Sequence, residues 1–227
     1  DTNDVLNVME YSQQNSIPLL ARGGGSSQCG QTVGESIVLD YSRHQNKILE
    51  LDLEEKSIWV EPGVVLDHLN AYLKPYGLWF PVDVSTSSRA TIGGMSANNS
   101  CGSRSLYYGN MVHNVLAIET ILDDGSIHTF DEIQKNYLIE KNNQDRLYKI
   151  IDKFIDLRQK VGTEIDENWP TTQRRVGGYN IDLIDPHGFN SSHLLVGSEG
   201  TLSLFNKIKL KLSELPKNRI LGVCYFD

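Results

Sequence analysis

Residues 17–39 read IPLLARGGGSSQCGQTVGESIVL: a short apolar strand, the run Arg22-Gly23-Gly24-Gly25-Ser26-Ser27, and a second strand beginning at Ile37. Successive glycines let the backbone adopt positive φ and aim several N–H groups at one point, which makes an anion-binding nest without net positive charge. A flexible hairpin tip would use the same residues. The dinucleotide fingerprint GxGxxG, however, needs a third glycine where Gln28 stands and a helix opening behind it. Here the chain passes through Gly30 and Gly34 into a strand, so a Rossmann unit is disfavoured and the fold must be sought elsewhere.

Outward from that stretch the elements are mixed. Residues 1–15 have the period of an amphipathic helix, with Val5, Val8, Met9 and Ser12 on one face and Thr2, Asn3 or Asp4 as caps. Ser57 to Glu61 is a strand closed by Pro62-Gly63, and Val64 to Tyr76 a helix whose stripe is Val65, Leu66, Leu69, Tyr72 and Leu73, stopped at Gly77. Val115 to Leu122 turns through Asp123-Asp124-Gly125 into Ile127 to Phe130, a hairpin. A second long helix runs from Leu147 to Val161. Leu202, Leu204, Ile208, Leu210 and Leu212 alternate with Ser203, Lys207, Lys209 and Lys211, as in a strand with one wet face. Ile220 to Phe226 is a further strand-like run. Strands gather at both ends with helices between, so the expected class is α+β.

Composition narrows the function. At 227 residues and 39% hydrophobic content the chain can bury a core, and at ~150 residues per domain it holds one large domain or two small ones. Lys plus Arg is 21 against 29 Asp plus Glu, a net charge of −8, which argues against a nucleic-acid groove or an anionic membrane surface. No apolar run is long enough to span a bilayer. Cys29, Cys101 and Cys224 are odd in number and widely spaced, and the six histidines lack metal spacing, so no disulfide framework or metal site is expected. A reducing cytoplasm is the expected compartment.

Two more glycine clusters matter. Residues 81–102, PVDVSTSSRATIGGMSANNSCG, carry seven Ser/Thr hydroxyls, two side-chain amides and the Gly93-Gly94 pair, a hydrogen-bonding capacity suited to a long polar ligand or to an Ω-loop packed on itself. Gly197-Ser198-Glu199-Gly200-Thr201 joins an apolar run to the alternating strand and implies a tight turn or close backbone approach. His68 and His128 read as surface or packing residues. Arg174 and Arg175 could bind a substrate carboxylate in bidentate fashion, or form a solvated basic pair.

Residues 21–27 (ARGGGSS), 60–83 (VEPGVVLDHLNAYLKPYGLWFPVD), 90–102 (ATIGGMSANNSCG), 105–110 (SLYYGN), 121–127 (ILDDGSI) and 196–205 (VGSEGTLSLF) resemble, in order and spacing, the FAD-binding PCMH-type domain of the vanillyl-alcohol oxidase / p-cresol methylhydroxylase flavoprotein family. The likeness is greatest to its glycolate oxidase / D-lactate dehydrogenase / D-2-hydroxyglutarate dehydrogenase branch, especially the long bacterial enzymes that carry an iron–sulfur region further down the chain.

The resemblance implies a two-subdomain α+β fold with FAD extended between the halves. Residues 1–215 would form that domain without its first strand, and 216–227 would begin a substrate-binding cap. The pyrophosphate would lie against the backbone of Arg22, Gly23, Gly24, Gly25 and Ser26, with Ser27 and Gln28 beside it. Pro81, Asp83, Ser85, Ile92, Gly93, Gly94, Ala97, Asn98, Ser100 and Gly102 would line the ribityl and ring region, with Tyr108 and Gly109 near the flavin and Gly200 and Thr201 completing the far side.

Covalent branches attach the flavin through a His or Cys where this chain has Ser26 and the run PVDVS, so FAD is expected to be non-covalent. The implied reaction is oxidation of a D-2-hydroxy acid to the 2-keto acid by hydride transfer to flavin N5, with base and metal residues supplied by the cap. An electron-acceptor protein, a quinone or a fused iron–sulfur region would take the electrons, and peripheral membrane association would come from other parts of the chain. Alternatives are an electron-relay flavin module and a UDP-sugar enolpyruvyl reductase-like flavoenzyme. Gly24→Asp is expected to abolish flavin binding by placing a carboxylate beside the pyrophosphate.

Overall fold

The structure, a computed structural model, describes residues 1–133, 145–185, 187–218, 220 and 222–225. Helix α1 (Thr2–Asn15) is capped by Asp1, whose carboxylate accepts from the Asp4 N–H in a reciprocal capping box. The expected caps were one to three residues further in. Val5, Met9 and Ser12 are its buried face, and Val5 and Met9 pack with Ile121 and Leu204. Strands β1 (Leu19–Arg22) and β2 (Ile37–Asp40) pair in parallel, Leu19 opposite Ile37 and Arg22 opposite Asp40. A parallel return needs a crossover of a dozen or more residues, which 23–36 provide; a tight hairpin is thereby excluded.

Strands β3 (Ile48–Asp52) and β4 (Ser57–Val60) form an antiparallel hairpin. Strand β3 was not among the strands expected from the sequence. Helix α2 (Leu66–Leu73) runs into a 3-10 turn over Lys74–Tyr76 and stops at Gly77, whose φ of 69° is left-handed. Leu66, Leu69 and Leu73 are buried, while Tyr72, at the edge of the expected stripe, is 39% exposed and tilts against Tyr76. After β5 (Leu78–Trp79) come α3 (Ile92–Ala97), the short α4 (Ser105–Tyr108), and the hairpin of β6 (Val115–Ile121) and β7 (Ile127–Phe130) around Gly125. The two-residue β8 (Glu132–Ile133) pairs with β9 (Phe189–Asn190), and between them lies α5 (Arg146–Asn168), capped by Asp145. Strands β10 (Leu204–Lys211) and β11 (Ser213–Glu214) follow.

The five-stranded sheet has the order β3-β4-β10-β6-β7 and is antiparallel throughout. Its centre is β10, the longest strand and nearly the last to be made. The class is α+β. Ile58, Val60, Ile118, Ile208 and Leu210 are sealed in one core with Leu66, Leu69 and Ile92 from α2 and α3. A smaller core joins α5, through Ile151 and Ile155, to Ile133, Ile184, Phe189 and Leu194.

Two expectations are corrected. The alternation of β10 fails at its start, where a bulge between Phe205 and Lys207 breaks the register and buries Asn206, which donates to Glu119 and accepts from Thr2. Leu202 lies before the strand. The run 220–226 has no strand at Ile220 or Gly222–Tyr225, and Ile220 is 96% exposed; Leu221 and Phe226 lie outside the described residues. An apolar run becomes a strand only where a sheet edge receives it, and β11 is paired with β5.

Candidate cofactor site

The chain leaves β1 at Arg22 and enters the glycine loop, where each glycine has its own reason. A Cβ on Gly23 would overlap the Thr91 hydroxyl, and one on Gly24 the carbonyl oxygen of Arg89. These two glycines let the loop lie directly on residues 89–94. Only Gly25 needs positive φ, at 63°, with the Arg22 guanidinium folded against it. The reading of all three as positive-φ residues is therefore corrected: close approach decides two of them. The facing wall is the start of α3, where Thr91 caps the helix by accepting from the Gly94 N–H at 3.3 Å and Gly93 seats against Pro62.

Between these walls runs a cleft of about 1050 Å³, including its open mouth. Arg22, Gly23, Gly24, Gly25, Ser26 and Ser27 line one side, and Gly93, Gly94, Ala97, Asn98 and Ser100 the other. The loop before β10 closes the end with Gly200. Three segments remote in sequence thus converge. The remaining candidates are not among the lining residues. Ile92 is sealed in the core; Asp83 accepts from the Ser103 hydroxyl and the Arg104 N–H at 2.7 and 3.0 Å, and Gly102 packs on the Asp83 carbonyl. Tyr108 meets the Trp79 ring edge-on at 5.5 Å, and Gly109, at φ 78°, lies under the His113 ring. The Thr201 hydroxyl donates to the Ser198 carbonyl at 2.6 Å, with the Tyr179 hydroxyl at 2.8 Å. Gln28, Pro81 and Ser85 also stand off the lining.

Lining residues that the sequence did not single out include Gln31, Tyr41, Glu199 and Ser203. Gln31 lay near a visible glycine motif and Glu199 within one, though not as a site candidate; Tyr41, one residue after a strand, looks like any core aromatic. Gln31 Nε2 donates to Glu199 at 3.4 Å across the mouth, and burial pushes the Glu199 carboxyl above its ordinary range.

Buried polar atoms test what the cleft could hold. Arg22 Nε, Gln31 Oε1, the Tyr41 hydroxyl and Ser203 Oγ are all buried without a partner, and all belong to lining residues. Unpartnered buried atoms occur elsewhere in the fold as well, on Ser57 and Asn110 for example, but the gathering of four around one cleft suits a polar ligand there. Together with the glycine walls, through which a ligand can approach the backbone, they suit an extended polar cofactor with an anionic centre. Among the described residues no group of three or more His, Cys, Asp or Glu could hold a metal ion.

The two candidate arginines diverge, and neither lines the cleft. Arg174 is exposed and donates to the Gly102 carbonyl at 3.0 Å. Arg175 is bonded to Asp182 at 2.6 Å, both largely buried, and stacks over the Trp169 ring at 5.1 Å. Its charge is already matched. Asp182→Asn should lower the midpoint of thermal unfolding by roughly 4–8 °C, since it leaves the guanidinium without its counter-charge. Calorimetry checks this, and the double variant Asp182→Asn with Arg175→Met should lose much less because it takes both charges away.

Nearby, His193 is held neutral: burial, then the neighbouring His113, pulls its pKa down to about 4. His113 is lowered as well, by burial and then by Arg175, while its Nδ1 accepts from the Asn110 N–H at 3.0 Å. His68 is exposed on α2, and His128 sits in β7 beside the Ser126 hydroxyl at 3.0 Å.

Residues 1–131 match the family described as FAD binding domain. The D-2-hydroxyglutarate dehydrogenase of Pantoea ananatis is 35% identical over 219 residues, which is 92% of this chain and 21% of that protein. For that of Escherichia coli K12 the values are 34% over 235 residues, 99% and 23%. The mitochondrial D-lactate dehydrogenase [cytochrome] of Arabidopsis thaliana is 25% identical over 225 residues, 98% of this chain and 31% of that one. Among solved structures, an alkyldihydroxyacetonephosphate synthase superposes with a TM-score of 0.62 at 20% identity, over 95% of this chain and 33% of the other, a likeness of fold. The chain thus spans about a fifth of the length of the D-2-hydroxyglutarate dehydrogenases it matches.

Proposed function

The chain belongs to the FAD-binding domain family, and from that premise we propose that its cleft holds FAD non-covalently as part of a dehydrogenase that oxidises a D-2-hydroxy acid. The observation that carries the reading is the set of unpartnered buried polar atoms around a cleft walled by glycines from two loops. Arg22 to Ser26 would hold the pyrophosphate with their backbone, Ser27 and Gln28 flanking it, and the guanidinium of Arg22 would add the one full positive charge in the wall. The flavin half would extend past Gly93, Gly94, Ala97, Asn98 and Ser100, toward Tyr108 and Gly109, with Gly200 on the opposite side. Pro81, Asp83, Ser85, Ile92, Gly102 and Thr201, which stand off the lining, would set the backbone of those walls from behind.

Bound there, FAD supplies the acceptor for the hydride that leaves Cα as a hydroxy acid becomes a keto acid. Residues 1–215 orient the cofactor and keep water from one face of it. The base that takes the hydroxyl proton, and most contacts to the acid, would come from chain outside that range; Arg174, whose guanidinium is exposed, is the better placed of the two arginines to meet a carboxylate. A protein acceptor, a quinone or a fused iron–sulfur region would receive the electrons. No helix among the described residues is long and apolar enough to cross a membrane, and a cytoplasmic setting suits the free thiols of Cys29, Cys101 and Cys224.

An absorbance spectrum taken with and without added FAD, followed by acid precipitation, tests this. Flavin bands and free FAD in the supernatant are expected. A folded, full-length protein that takes up no FAD would sink the reading, and flavin left in the pellet would overturn its non-covalent part. D-2-hydroxyglutarate and D-lactate, offered to the loaded protein with a dye acceptor, then test the substrate class.

A further inference from the structure

The structure assigns Tyr41 to the cofactor site: we propose that its hydroxyl donates a hydrogen bond to the diphosphate of the bound dinucleotide, an inference that rests on the FAD reading above. Tyr41 directly follows β2, and its N–H donates to the carbonyl of Arg22 at 3.0 Å, the residue from which the glycine loop departs. Its own carbonyl is wedged against Gly63, where any Cβ would overlap it, and accepts from the Gln45 N–H at 3.4 Å. The backbone is therefore pinned on both sides. Tyr41 lines the cleft and is only 6% exposed, and its hydroxyl is buried with no partner.

The chemistry selects the ligand group. Burial raises the phenol far above its ordinary pKa, so at neutral pH it is an un-ionised donor. The second unpartnered buried donor in this wall is Arg22 Nε. A diphosphate carries acceptors only and is anionic, so it accepts from a phenol and a guanidinium together and matches the charge of the latter, which a neutral amide or ring carbonyl does not. Tyr41 is also a wall of a second cavity, beneath α1, where Gln45 Oε1 is buried without a partner. A hydroxyl committed to that cavity would have no part in cofactor binding.

The test is Tyr41→Phe in the full chain, with Tyr72→Phe on the exposed face of α2 as the control. Dissociation constants for FAD and for ADP, which keeps the diphosphate and lacks the flavin, are measured by calorimetry beside the unfolding midpoint of the ligand-free protein. Tyr41→Phe should weaken FAD and ADP alike by about tenfold. The ligand-free midpoint should hold or rise, because an unpaired buried hydroxyl has been removed. Affinity within twofold of the parent would overturn the assignment and leave the FAD reading intact. Loss for FAD alone would overturn the diphosphate contact, and a fall in the ligand-free midpoint would show a structural role instead. A parent protein that binds neither FAD nor ADP would overturn both readings.

Discussion

Gly24→Ala is expected to reduce FAD affinity at least a hundredfold and to lower the unfolding midpoint by roughly 5–10 °C. The added methyl carbon would overlap the carbonyl oxygen of Arg89, with its carbonyl carbon and the Ala90 nitrogen close behind. Backbone cannot swing aside as a side-chain tip can, so the glycine loop must lift off residues 89–94. That costs about 2–3 kcal/mol of packing and opens the cleft by the thickness of a methyl group. Gly34→Ala, in the same connection, should be neutral within about 0.5 kcal/mol, since its Cβ would meet only Ser36 Oγ at 3.7 Å and its φ lies outside the left-handed region. The pair separates two explanations of Gly24. If repulsion of the pyrophosphate alone were at stake, Gly24→Asp would abolish binding and Gly24→Ala would spare it. The structure predicts that both lose it, and FAD titrations of the three variants decide.

Acid should destabilise the protein through His193. Its imidazole titrates near 6.5 in the unfolded chain and at about 4 in the fold, where burial comes first and the nearby His113 second. Between those values the unfolded chain binds more protons, so stability is present in full above about pH 6.5 and is lost as the pH falls toward 4. The whole effect is on the order of 3 kcal/mol. His113, lowered by burial and by Arg175, adds to it with the same sign. Asp131 and Glu199, raised by burial, act oppositely: their contribution is present at low pH and declines as the pH rises through their raised values. Because the carboxyl contributions have the opposite sign, the imidazole's share is read as the difference between parent and variant between about pH 4 and 6.5. His193→Gln should flatten the midpoint against pH over that window. An unchanged slope would place the acid sensitivity elsewhere.

Much of the local structure was legible because its causes are local. The 3.6-residue period of α1, α2 and α5, the Gly77 stop and the Asp-Asp-Gly turn of the β6–β7 hairpin each depend on residues within a few positions of one another. The run of three glycines was legible as a place of unusual backbone freedom, with positive φ expected throughout. What each glycine approaches was not: Gly24 meets Arg89 only because β1, β2 and α3 are packed as they are. The same holds for β10, which reads as a one-sided strand and lies at the centre of the sheet between partners made some 85 to 150 positions earlier. Arg175 illustrates the limit within a single motif. Its neighbour Arg174 has the same chemistry and stays in solvent, while Arg175 is closed against Asp182 and Trp169 by the turn of the chain at residues 176–183. Sequence by itself determined most of the element types, β3 and the run 220–226 excepted, the α+β class and the presence of the two glycine clusters, since these follow from periodicity, turn chemistry and the missing Cβ. Tertiary structure alone decided that Tyr41, Gln31 and Ser203 share one cleft with those clusters and face it unpaired, because convergence and burial depend on the packing of distant segments.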